Sequence, residues 1–108
     1  MFCVVYEFKL RPDQHERFRE AWHQVTRDVI VDYGSLGARL HSCDEDTWIA
    51  YAQWPDREAW LGGHKAIEAR MIQLHLDQCL ADIPARLLEL RVIDDLLVTN
   101  GEWERRDS

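Results

Sequence analysis

Trp60 and His64 stand four positions apart in a stretch that continues with Ile67 and Met71. On a helix that spacing places all four on one face. An imidazole among apolar neighbours can act as a base near working pH, and the indole offers a stacking wall for an aromatic ligand. Tyr6 alternates with Val4 and Phe8, so its hydroxyl can donate to a ligand oxygen if a pocket lies between that strand and the helices. Trp22, with Trp48 and Trp54, can complete an aromatic box. Arg39 shares a strand face with His41 and can orient an anionic oxygen. The expected catalytic residues are His64 and Tyr6, and the expected substrate-binding residues are Trp60, Trp22, Arg39 and Met71.

Each of these residues has a plainer assignment. Trp60 and His64 suit a core or a dimer interface, with the imidazole satisfied by a neighbouring carbonyl. Tyr6 suits a core with its hydroxyl at the edge, and the spacing of the tryptophans is what core packing requires. Arg39 and His41 suit solvent or an acid of a partner subunit. His41 and Cys43 look like two metal ligands on one strand, but no third or fourth stands nearby, so no metal site is expected. A glycine-rich dinucleotide loop is also missing, and no resident cofactor is expected.

The elements that must position these groups follow from periodicity. Phe2 to Leu10 alternates as a first strand. Pro12 suits a first helical position, and Phe18, Trp22, Val25 and Val29 recur at helical spacing, which predicts a helix from Pro12 to Val31 stopped by Gly34. Ser35 to Cys43 and Thr47 to Trp54 alternate around the polar turn Asp44-Glu45-Asp46 as a hairpin. Asp56 caps a second helix, in which Gly62-Gly63 predicts a kink or break. Pro84 ends the helical region, Leu87 to Val98 reads as the last strand, and Asn100-Gly101 turns into a charged surface tail. The order β-α-β-β-α-β is the split βαβ of the ferredoxin-like α+β fold, a four-stranded antiparallel sheet with helices on one face. The uncovered face predicts a homodimer.

A chain of 108 residues suits one domain, 1–108, with the tail from about residue 100 peripheral. The first residues reach Glu7 too soon for a secretory leader and read as a mature strand. Three widely spaced cysteines give no disulfide framework, and a cytoplasmic location with reduced thiols is expected. Twenty acids against thirteen bases, a formal charge of −7, argue against nucleic acid and anionic membrane as partners.

Four segments carry a resemblance to a known family. They are Tyr6-Glu7-Phe8-Lys9-Leu10-Arg11-Pro12, Phe18-Arg19-Glu20-Ala21-Trp22, Gly34-Ser35-Leu36-Gly37-Ala38-Arg39-Leu40-His41, and the run from Trp48 to Trp60. Over roughly its first two thirds the chain resembles the antibiotic biosynthesis monooxygenase domains of dimeric α/β barrels. The characterised oxygenases of that family convert polycyclic phenols to quinones without metal, flavin or haem. The resemblance thus implies a small aromatic or polycyclic phenol and O2 as partners. The family also holds haem-degrading enzymes and members without known activity, so haem degradation and non-catalytic binding of a small molecule are the alternatives. The haem degraders share the tryptophan matched by Trp60 but carry asparagine where this chain has Tyr6. Their haem-ligating histidine falls on Arg70, which cannot serve as a neutral axial ligand. His75 can substitute only if a kink at Gly62-Gly63 shifts the register.

Overall fold

The computed structural model describes residues 1–81 and 86–98, without the Arg86 side chain. Strand β1 (Phe2–Lys9) is followed by helix α1 (His15–Tyr33), strands β2 (Ala38–Ser42) and β3 (Thr47–Trp54), helix α2 (Arg57–Gln73) and strand β4 (Arg86–Arg91). Short 3₁₀ turns occupy Pro12–Gln14 and Leu76–Cys79. The sheet is antiparallel throughout, in the order β2-β3-β1-β4. This is the expected ferredoxin-like α+β arrangement. Pro84, Asn100-Gly101 and the charged tail lie outside the described residues.

The alternation in β1 translates directly into packing. Phe2, Val4 and Phe8 are buried with Ala50, Ala52 and Trp54 of β3, against Phe18 and Val29 of α1 and Trp60 of α2. Two apolar clusters result, one around Phe8 and Phe18, the other around Val4, Trp54 and Trp60, and Tyr6 packs against both. Burying each large side chain of this set stabilises the fold by about 1.5–3 kcal/mol. Helix α1 ends where expected, at Gly34, whose φ of +74° is left-handed and costs glycine no steric strain. Asp56 caps α2 by accepting the Ala59 N–H at 2.8 Å.

Two expectations are corrected. Helix α2 runs unbroken through Gly62-Gly63. The pair serves close packing, because a Cβ on Gly63 would collide with the Trp54 ring. The unhindered approach of helix and indole offsets a propensity loss of about 1 kcal/mol per glycine. The last strand is also shorter than Leu87 to Val98. Arg91 already pairs with Phe2, and the Val92 N–H to Met1 carbonyl contact at 3.4 Å is the final rung, so β1 offers nothing further to bond.

Candidate functional site

Helix α2 carries Trp60, His64, Ile67, Glu68 and Met71 at spacings of three and four, toward the sheet face that bears Tyr6. Opposite Tyr6 in the sheet stand Ala50 on one side and Leu87 on the other. The small alanine and the helical stripe leave the phenol hydroxyl among side-chain donors and acceptors. Trp60 Nε1 donates to it at 3.0 Å, and His64 Nδ1 lies 3.1 Å away. The other imidazole nitrogen, Nε2, is 2.6 Å from a Glu68 carboxylate oxygen.

That geometry assigns the protons. A carboxylate only accepts, so Nε2 carries hydrogen toward Glu68. In neutral imidazole Nδ1 is then the acceptor, and Tyr6 donates to it while accepting from Trp60. One lone pair of the Tyr6 oxygen is left for a ligand hydroxyl. When the imidazole is protonated both ring nitrogens donate, the Tyr6 oxygen is filled, and its own hydrogen is released toward a ligand. Burial pushes the Tyr6 pKa above 10.0, the Trp60 hydrogen bond opposes that rise, and the Glu68 charge adds to it. At neutral pH Tyr6 is therefore a neutral phenol and not a phenolate.

Beside these hydrogen-bonded groups lies a cavity of about 410 Å³, within the range of small-molecule sites. Its apolar walls include Phe8, Ile67, Met71 and Leu87, and its polar groups are Tyr6, His64 and the carboxylates of Glu68 and Asp77. The His64 side chain is 23% exposed, enough for a ligand to reach it, whereas Glu68 at 62% is washed by solvent.

Of the residues expected from sequence, Tyr6, His64 and Met71 meet at this cavity. Trp60 does not line it; it is buried in the core and reaches the site through its hydrogen bond to Tyr6. Trp22 and Arg39 lie together in a larger trough, about 960 Å³, between α1 and the β2 edge. That trough is open and edged by Glu16, Arg19, Glu20 and His23. The smaller cavity is the better candidate despite its size, because it joins apolar walls to a directed hydrogen-bond network. Sequence reasoning missed Glu68, although a carboxylate four residues after His64 was readable as a same-face partner. Leu87 and Asp77 enter only through tertiary structure.

Haem ligation does not fit these residues. Arg70 holds Asp28 of α1 at 3.3 Å. Helix α2 is continuous from Arg57 to Gln73, and His75 sits past its end with φ +55°. Among the described residues no three His, Cys, Asp or Glu side chains gather as a metal site, and no helix is long and apolar enough to cross a membrane.

The sheet and its two helices define a ferredoxin-like α+β domain with a pocket between its layers. A family model for antibiotic biosynthesis monooxygenase matches residues 1–68, and the chain belongs to that family. Among solved structures, Rv0793 from Mycobacterium tuberculosis is similar at 17% identity and a TM-score of 0.73, covering 89% of this chain and 98% of its own. NE2512 from Nitrosomonas europaea, a protein of unknown function, gives 10% and 0.75 over 91% and 94% of the two chains. A point mutant of SnoaB, a cofactor-independent oxygenase from Streptomyces nogalater, gives 14% and 0.68 over 88% and 95%. No curated protein sequence matches the chain.

Proposed function

We propose that this protein is a cofactor-independent monooxygenase that oxidises a small aromatic or polycyclic phenol to a quinone. The observation that carries the reading is the Tyr6 hydroxyl, held between Trp60 and His64 at the wall of an apolar cavity. A phenol seated there gives its proton to the Tyr6 oxygen as Tyr6 passes its own to His64 Nδ1, and Glu68 steadies the imidazolium. The phenolate transfers one electron to dioxygen, and the resulting phenoxyl radical and superoxide combine at a ring carbon. His64 returns its proton through Tyr6 to the peroxide, which loses water to leave the quinone. One oxygen atom enters the ring and the other leaves as water. All the electrons come from the phenol, so no external reductant is required. The family and the description of SnoaB as a cofactor-independent oxygenase support the same chemistry.

The test is oxygen uptake by the purified protein across a panel of phenols, with isotopically labelled dioxygen. One labelled atom in the quinone is expected. Phenols that bind without oxygen uptake would make the protein a carrier of aromatic molecules instead.

The second part of the reading is a homodimer formed through the sheet face away from the helices. Leu88 and Leu90 of β4 are 46% and 42% exposed there, and Val5 and Ile49 are only half-buried. After β4 the chain presents Ile93, Leu96 and Leu97, all more than half exposed. A second copy of the same apolar surface is the self-complementary cover that a two-fold interface supplies.

A further inference from the structure

Apart from the main cavity, the layer between sheet and helices contains a void of about 50 Å³. Its floor follows from small side chains in the sheet. Ala38 pairs with Ala52 across β2 and β3, and Ala50 pairs with Tyr6 across β3 and β1, so these neighbouring positions lack the bulk to fill the space. Val25 and Val29 of α1 and Ile67 of α2 supply apolar wall, while Thr26 of α1, Ser35 of the α1–β2 connection and Trp54 of β3 bring polar groups to it.

Trp54 sets the requirement. Its side chain is 1% exposed, and its indole N–H is buried without a hydrogen-bond partner among the described groups. A buried donor normally finds an acceptor, because leaving it unpaired forfeits the hydrogen bond it makes to water in the unfolded chain. The six-membered edge of the ring is already occupied, since Cζ2, Cη2 and Cζ3 are the atoms that a Cβ on Gly63 would strike. The void is the space left beside the ring. Ser35 Oγ accepts the Gly37 N–H at 3.1 Å and keeps a second lone pair, and the Thr26 hydroxyl adds another oxygen to the lining. A water needs two to four polar partners and about 10–15 Å³, and both conditions are met. The Tyr6 hydroxyl, already engaged with Trp60 and His64, is not required.

We propose that this void is a water site, in which one buried water accepts from Trp54 Nε1 and donates to the hydroxyl oxygens of Thr26 and Ser35. The water ties α1, the α1–β2 connection and β3 together. It also fixes the indole against whose other edge helix α2 packs at Gly63, one residue before His64. The site is independent of the oxygenase reading, because water enters this void whether or not a phenol is oxidised.

A high-resolution crystal structure of the full chain should show an ordered peak within hydrogen-bond distance of Trp54 Nε1 and of at least one of the two hydroxyls. Thr26→Val is isosteric and removes one hydroxyl while leaving the volume of the void as it is. In that variant the peak should weaken and the indole N–H proton resonance of Trp54 should move upfield, and Thr26→Ser should restore both. Ser35→Ala, outside the helices, is the second variant and should move the same resonance in the same direction. A void without that peak, or one that xenon enters under pressure in place of water, overturns the proposal. So does a Trp54 resonance that stays at its wild-type position in both Thr26→Val and Ser35→Ala.

Discussion

Glu68 and His64 stand one helical turn apart with 2.6 Å between carboxylate and Nε2, and this contact decides which imidazole nitrogen faces Tyr6. Held by the carboxylate, Nε2 keeps its hydrogen and Nδ1 stays available as the proton acceptor. His64→Gln should therefore retain phenol binding but lower kcat/KM by roughly 10²-fold or more, the usual size of a general-base contribution. Glu68→Ala should be milder, because an exposed ion pair contributes about 0–1 kcal/mol, up to roughly fivefold in rate. Steady-state kinetics of the two variants checks the ranking. Unchanged turnover in His64→Gln would make the histidine structural.

Tyr6 gives a prediction at the alkaline end. Its pKa is higher folded than unfolded, so the folded state holds the phenol proton more tightly. The resulting stabilisation is fully present below the unfolded value of about 10 and is lost as pH rises through the folded one. Thermal melts from neutral to strongly alkaline pH should show this loss in the wild type and a smaller one in Tyr6→Phe. At neutral pH the same substitution should cost about 1–3 kcal/mol, because the buried Trp60 N–H loses its acceptor. An identical alkaline profile in the two proteins would refute the assignment.

The adjacent glycines of α2 should respond in opposite directions. Gly62→Ala meets only Tyr33, at an ordinary 3.7 Å, and should stabilise the helix by about 0.5–1 kcal/mol. Gly63→Ala drives a methyl into the Trp54 ring, which is 1% exposed and enclosed, and should destabilise by about 1–3 kcal/mol despite the better helix propensity. Denaturant midpoints of the pair decide the matter. Equal effects would mean that Trp54 moves aside.

The same residues show what the sequence could and could not reveal. Strand alternation and helical stripes are local, so the element order, the β3 boundaries and the shared face of Trp60, His64 and Met71 were all legible. Gly62-Gly63 predicted a kink or break because propensity is local, and the break does not occur; the Trp54 ring that requires Gly63 comes from another element. The end of β4 depended on where β1 runs out, a matter of register between distant segments. Tyr6 and His64 could be named separately, but their 3.1 Å contact joins residues 58 positions apart, and no periodicity encodes it. Trp22 and Arg39 were grouped with them by residue type, while the structure puts both in the trough at the β2 edge of the sheet.

Assembly provides the last prediction. The face of β4 away from the helices presents Leu88 and Leu90, and the following segment adds Ile93, which is 98% exposed, with Leu96 and Leu97. Exposed leucines and isoleucines in such number on one side of a chain mark an interaction surface, and a two-fold interface between copies would cover them. Sedimentation at micromolar concentration should give twice the 12.8 kDa chain mass, and dilution should dissociate the species poorly if the interface is large and apolar. Leu90→Glu tests the face itself. The side chain is already 42% exposed in the single chain, so the fold should survive the substitution, while a carboxylate in the centre of an apolar interface should shift the protein to monomer. A wild type that sediments only as a monomer, or a Leu90→Glu variant that remains a dimer, would rule out this face as the interface.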